Sequence, residues 1–186
     1  MNNEDVKQLL LQSGVSPDVF ATTLPLSGYP EVRKYLSDDL GELQPVMYFY
    51  PNKKNGGALA GQILDLTCKE LVLMGRSVKA VSLVDVFNAL VLDTDESHEL
   101  KAEIVNAEVV GIRDFYQVDG NVNCYFTPYQ QAMFYSFIRK LLIGGTCLLL
   151  QGERPLAESV AWWSAGFVNY LENKGRHFVV RTEGKA

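Results

Sequence analysis

A segment rich in lysine and glycine separates the first β-like apolar run of the chain from a long amphipathic run. It reads Lys53-Lys54-Asn55-Gly56-Gly57-Ala58. In loops that bind nucleotide phosphates, glycines let backbone N–H groups turn toward the phosphates, while a lysine and a hydroxyl contact the terminal phosphates and magnesium. The position of this segment between a predicted strand and a predicted helix makes it the first candidate for phosphate chemistry.

The segment matches the phosphate-loop pattern G-x-x-x-x-G-K-[ST] only in part. Gly56 fits the second glycine, but Gly57 stands at the lysine position and Ala58 at the hydroxyl position. Lys53 or Lys54 could supply the missing charge from the other side of the loop, which would leave a site for ATP or ADP. The alternative is a turn that only joins strand to helix and binds no cofactor, and the pattern favours this interpretation.

A second candidate position lies directly after the third apolar run, where Arg113 and Asp114 follow Ile112. Phosphate-loop ATPases place acids here to hold Mg²⁺ and activate water. Arg113 would bring a cation to the magnesium position, and Asp114 is equally well explained as an ordinary loop acid. His98 and His177 have no Ser, Cys or acid constellation around them, so the sequence predicts neither a metal site nor hydrolase chemistry.

Apolar runs alternate with helical spacings and place these candidates at strand ends. Strands are predicted at residues 46–50, 78–83, 108–112, 146–150 and 178–180. Helices are predicted at 58–74, 84–92, 128–143 and 155–173, with a polar connection or helix at 93–103 and a loop at 113–123. Because the strands are apolar throughout, helices must cover both of their faces, which predicts an α/β fold with a parallel sheet. Such sheets bind ligands at the carboxyl ends of their strands.

Composition and local pattern predict one domain with a helical arm. Helical spacing at residues 4–13 and 30–40 makes 1–45 an N-terminal arm, and 46–186 form the α/β core. The 186 residues are 47% hydrophobic and carry a net charge of -5, which excludes a disordered chain and disfavours a dedicated nucleic-acid binder. Three widely spaced cysteines indicate reduced thiols. With no signal peptide or membrane-length apolar run in this sequence, we expect a cytoplasmic location.

Several segments share their order with a known family. They are Leu9 to Phe20, Gly56 to Ala60, Ser82 to Leu90, Asn106 to Phe115 and Thr146 to Gly152. In this order they resemble the AAA+ ATPases of the bacterial helicase-loader and initiator group, most closely the DnaC-type loaders, over nearly the whole chain. The resemblance implies a P-loop NTPase-like, three-layer sandwich with a mostly parallel central sheet.

The departures from this family fall on its catalytic positions. Besides the loop, the first acid of the Walker B strand is Arg113, the sensor position is Gln151 or Gly152, and the finger arginine falls near Asn169 or Tyr170. Each such group stabilises charge during phosphoryl transfer. The resemblance therefore implies a pseudo-ATPase that acts through protein contacts in DNA replication or its initiation. The alternative is an active ATP-binding loader-type ATPase with an atypical phosphate loop.

Aromatic side chains are the candidates for a contact surface, since aromatics are enriched at interface hot spots. The candidate interface residues are Tyr125, Phe126, Tyr129, Trp162 and Trp163. Helical spacing predicts that about half of the aromatic residues between 125 and 137 are core, and that one of the two tryptophans is buried. The expected partners are a replicative helicase, an initiator, a loader-type ATPase or a second copy of the chain. Single-stranded DNA is a weaker candidate, because the basic pairs are better explained as solvated surface.

Overall fold

A five-stranded sheet of parallel strands forms the centre of the protein, in a computed structural model that describes residues 3–23, 29–37, 45–52, 57–116 and 127–180. The strands are β1 (Val46–Pro51), β2 (Val78–Ser82), β3 (Val109–Tyr116), β4 (Cys147–Gly152) and β5 (Gly175–Val180). The helices are α1 (Asn3–Gln12), α2 (Pro30–Ser37), α3 (Gly57–Leu73), α4 (Leu83–Val91), α5 (Asp95–Asn106), α6 (Pro128–Ile143) and α7 (Ala165–Glu172). Two 3₁₀ helices span Pro17–Val19 and Leu156–Ala161.

The strands lie in the order β2-β3-β4-β1-β5, and every pair is parallel. This arrangement confirms the predicted α/β class. The helices lie on both faces of the sheet, because α3 packs into one hydrophobic core and α4, α6 and α7 pack into the other. The result is the expected three-layer sandwich.

Alternate residues of the strands pack into two separate hydrophobic cores, one on each face of the sheet. On β4, Leu148 and Leu150 belong to the core beneath α4, α6 and α7, whereas Leu149 belongs to the core beneath α3. Every residue of β4 is buried. This is why the strands are continuously apolar, with no alternation of polar and apolar residues.

The N-terminal arm packs on the α3 face. Leu10, Val15 and Val19 are buried in the same core as α3. The backbone N–H of Ala80 on the edge strand β2 donates to the carbonyl of Ser13 at 2.7 Å. Gly14 follows with a φ of 74°, and a Cβ there would collide with the Ala80 carbonyl. Only glycine fits this close approach.

Three predictions about individual elements change. Strand β3 does not end at residue 112 but runs to Tyr116, so the predicted loop at 113–123 begins later. The helix predicted at 155–173 is two elements, because the chain turns at Trp163 and α7 begins afresh with Ser164 as its N-cap. The undecided region at 93–103 is helix α5, which begins with a capping box between Thr94 and Ser97.

The described residues also show the state of two cysteines and were compared with the requirements of metal sites and membrane-spanning helices. Cys68 and Cys147 are buried and are not in disulfides, and Cys124 lies outside the described residues. Burial raises the pKa of the Cys147 thiol, which lowers its reactivity. Within the described ranges, no cluster of His, Cys, Asp and Glu could hold a metal ion, and no helix has the length and apolar character to cross a membrane.

Candidate functional site

The carboxyl ends of β3, β4 and β1 lie side by side, because these strands are neighbours in the sheet. Asp114 and Gln151 lie at this edge, next to the point where α3 begins at Gly57. Ala58 is exposed in the first turn of α3. Lys53, Lys54, Asn55 and Gly56 fall outside the described residues, so the phosphate-loop hypothesis for them stays a prediction.

The guanidinium of Arg113 does not point toward the first turn of α3. Its Nε donates to both carboxylate oxygens of Asp65, at 2.9 and 3.1 Å, and its Nη2 donates to Asp65 at 2.7 Å and to the carbonyl of Gly14. Asp65 lies eight residues beyond the start of α3, which is about 12 Å along the helix axis. The cation that the sequence puts at the first Walker B position is therefore neutralised by an ion pair with Asp65.

The Asp65 carboxylate is deeply placed for a charged group, with 7% of its side chain exposed. Burial raises the pKa of Asp65 above the ordinary aspartate value, and the hydrogen bonds and charge of Arg113 oppose that rise. A partner charge at hydrogen-bond distance offsets the cost of desolvation. Asp65 and Arg113 therefore form a structural unit that joins α3, β3 and the arm.

Asp114 adopts an unusual backbone conformation directly after Arg113. Its φ is 57°, in the left-handed region that aspartate tolerates better than most residues. Its N–H donates to Oε1 of Gln151 at 2.9 Å, and Gln151 is only 3% exposed. The register between β3 and β4 shifts here, because Ile112 to Tyr116 on β3 faces only Leu150 to Gly152 on β4.

Gln151 therefore contacts the main chain of the irregular strand end. Its Oε1 lies 3.9 Å from the place a Cβ of Gly61 would occupy, so α3 packs closely over the amide. The structure thus brings the predicted sensor-like residue and Asp114 together, while it directs Arg113 to the middle of α3.

Two residues of this region were not predicted from the sequence, Asp65 and Lys69 on α3. Lys69 is 8% exposed, and its Nζ donates to the carbonyls of Val19, Phe20 and Thr22 at 3.2, 2.9 and 2.6 Å. Their spacing of four residues is that of a surface ion pair. The informative signal was that both lie among apolar residues of a helix that is buried for most of its length.

The candidate interface residues divide between core and surface. Trp163 is 1% exposed and donates from Nε1 to the carbonyl of Phe115 at 3.4 Å, so its assignment to an interface is wrong. Trp162 is half-buried, which confirms that only one tryptophan is fully in the core. Tyr129 is 77% exposed, and Phe134 and Phe137 are core. Tyr125 and Phe126 lie outside the described residues.

Sequence comparison finds no relative of this chain, because no family model and no curated protein matches it. Structure comparison finds solved structures with a similar fold. The chain shares its fold with solved structures of replication proteins. The AMPPCP-bound DnaA from Aquifex aeolicus superposes with a TM-score of 0.60 at 16% identity, over 91% of this chain and 51% of that one. The DnaI structure superposes with a TM-score of 0.60 at 10% identity, over 93% of this chain and 93% of that one.

A third similar structure is a putative primosome component from Streptococcus pyogenes serotype M3. It has a TM-score of 0.53 at 15% identity, over 86% of this chain and 79% of that one. The chain spans about half the length of the DnaA structure, at 51%, but nearly all of DnaI, at 93%. At these low identities, the superpositions show a shared fold.

Proposed function

We propose that this protein is a non-catalytic AAA+-like protein that acts through protein–protein contacts in DNA replication or its initiation. The observation that carries the proposal is the Arg113–Asp65 ion pair, at 2.7 Å, where the resemblance would have the first acid of the Walker B strand. The replication setting is supported by the AAA+ neighbours, which are an initiator, DnaI and a primosome component.

The contacts of Asp65 and Gln151 argue against a magnesium-bound nucleotide. Magnesium prefers oxygen ligands in near-octahedral geometry, and the Asp65 carboxylate is already bound by Arg113, which leaves Asp114 as the exposed acid at this end of β3. The amide oxygen of Gln151 is bound to the N–H of Asp114. Loss of one charge-stabilising group slows a reaction by about 10²–10³-fold. The absence of several such groups supports a scaffold role.

The partner class follows from the proposal. Initiators and loaders of this fold suggest a replicative helicase, an initiator, a loader-type ATPase or a second copy of the chain as the protein that binds. Mild acidity, with 22 Asp and Glu against 17 Lys and Arg, favours a protein over DNA as the main ligand.

Thermal unfolding with ATP and Mg²⁺ tests the proposal. A ligand at 100 times its Kd stabilises a protein by about 2.7 kcal/mol. We expect no stabilisation at millimolar ATP and no phosphate release. The proposal fails if the protein hydrolyses ATP and this activity disappears in a Lys53→Ala/Lys54→Ala variant while a Lys101→Ala variant, changed on the exposed face of α5, retains it.

The second candidate function is an active ATPase with an atypical loop. The observation that favours it is the exposed Asp114, held in a left-handed conformation, since strained backbone occurs often at functional sites. In that case Lys53 or Lys54 would bind phosphate and Asp114 would activate water. Asp114→Asn would then abolish turnover without lowering the melting temperature.

A further inference from the structure

Strand β2 is an edge of the sheet, and half of its outer side is uncovered. The carbonyl of Ser77 accepts N–H groups from Glu108 and Val109, so Ser77 faces β3. Backbone groups alternate in direction along a strand, so Val78 and Ala80 face away from β3. Ala80 is covered by Ser13 of the arm. No backbone group of the described residues pairs with the outer side of Val78.

A groove of about 370 Å³ opens at Val78. Its walls are the end of α1 and one side of α5, and its floor is the start of β2. Its lining includes Gln12, Val78, Lys79, Glu99 and Glu103. The groove therefore places the unpaired outer backbone of Val78, a residue that is 6% exposed, between two helices.

The charge of the groove is negative. Lys79 is neutralised, because its Nζ lies 2.5 Å from Glu103 and 3.1 Å from the carbonyl of Gln12. Glu99 has no ion-pair partner among the described residues. The α4–α5 region, residues 83–106, holds six acids and one lysine, and its charge of -5 equals the net charge of the whole chain. The rest of the chain is neutral overall.

We propose that this groove binds an extended segment of a partner protein that carries a lysine or arginine. The segment adds to the free edge of β2 through the N–H and C=O of Val78 and places its cation beside Glu99. Main-chain pairing to an open edge supplies affinity, and the charged contact supplies specificity. Ser13 already pairs with this edge in the same way at Ala80. The inference rests on the proposed role in protein binding and assigns it a surface.

A defined peptide tests the groove. The probe is an end-capped six-residue peptide in which valine, threonine and lysine alternate, titrated into ¹⁵N-labelled protein. We expect amide shifts confined to the groove lining, at residues 12–13, 77–80 and 99–107. Glu99→Lys should weaken binding about tenfold, because it places like charges together. The matched change Glu96→Lys, on the same helix but outside the groove lining, should leave the affinity unchanged.

Two further probes separate strand addition from charge attraction. The same peptide with N-methylated valines keeps its charge but cannot donate from those backbone positions, and should bind at least several-fold more weakly. The glutamate-for-lysine peptide should not bind. The proposal is overturned by no shifts at millimolar peptide, by shifts elsewhere, or by equal losses in both Glu variants. A replication protein that binds native and Glu99→Lys chains equally would refute the groove alone, whereas ATP turnover would refute the non-catalytic role.

Discussion

The two faces of the sheet are stabilised by different kinds of interaction. Beneath α3, three charged residues, Asp65, Lys69 and Arg113, make directional bonds, several of them to backbone carbonyls of the arm. On the opposite face, aromatic rings stack. Trp163 lies with its ring centroid 4.9 Å from that of Phe134 and 5.2 Å from that of Phe115.

The difference shows what each face does. Aromatic packing buries much apolar area, so its main contribution is to the stability of the core. Buried charges need partners at set positions, so they specify where the arm docks. One face therefore supplies stability, and the other fixes the position of the segment that precedes β1.

The largest expected effect is on the aromatic face. Trp163→Ala should lower the free energy of unfolding by about 4 kcal/mol, because it removes a fully buried indole and its ring contacts. Urea denaturation followed by circular dichroism measures it. Trp162→Ala is the matched control and should cost less than half as much. Equal losses would contradict the assignment of Trp163 to the core.

The second-largest loss of stability is expected when the ion pair on the α3 face is broken. Asp65→Ala leaves the Arg113 guanidinium unpaired beneath α3 and should cost about 3 kcal/mol. The double variant Asp65→Leu/Arg113→Met removes both charges and should lie within about 1 kcal/mol of the native protein. A double variant as unstable as the single one would show that the pair contributes more than mutual neutralisation.

Lys69→Met should have a smaller and more local effect. The carbonyls of Val19 and Phe20 lose their donor, at a cost of about 2 kcal/mol. Hydrogen exchange should accelerate in residues 17–22 before it does in the sheet. Lys101→Met, on the exposed face of α5, should change stability by no more than about 0.5 kcal/mol. Uniform acceleration across the sheet would argue against a specific role in docking the arm.

The smallest expected effect is a pH dependence. Burial raises the pKa of Asp65, and Arg113→Met would raise it further by removing the opposing charge. The native state then holds a proton that the unfolded state, with a pKa of about 3.9, has lost, so stability falls as pH rises from there through the native pKa. The cost of Arg113→Met should therefore be about 1 kcal/mol larger at pH 7 than at pH 4. A cost independent of pH would mean that Asp65 gains another partner.

Most elements could be predicted because their signals are local. Helix α6 occupies Pro128–Ile143, as its apolar spacing and the prolines and glycines at its ends predicted. The end of β3 could not be predicted, because Arg113 resembles a surface residue in the sequence and its partner Asp65 is 48 positions away. The break before α7 depends on Trp163 turning into a pocket formed by Phe87, Phe115 and Phe134. No local pattern contains that pocket.

The candidate site divides in the same way. Asp114 and Gln151 meet because β3 and β4 are neighbouring parallel strands, whose carboxyl ends lie at the same edge of the sheet. That Gln151 binds a backbone N–H depends on a register shift between β3 and β4. Such shifts arise from the packing of neighbouring strands, which one strand's sequence does not contain.

The sequence by itself determined the α/β class, the order of strands and helices, and the candidate positions at the strand ends. These follow from hydrophobic periodicity and turn residues, which act over a few neighbours. The tertiary structure alone decided that Arg113 pairs with Asp65, that Lys69 holds the arm, and that Trp163 is core. Those contacts join residues 47 or more positions apart. Their partners exist only once the sheet has formed, so no local pattern could name them.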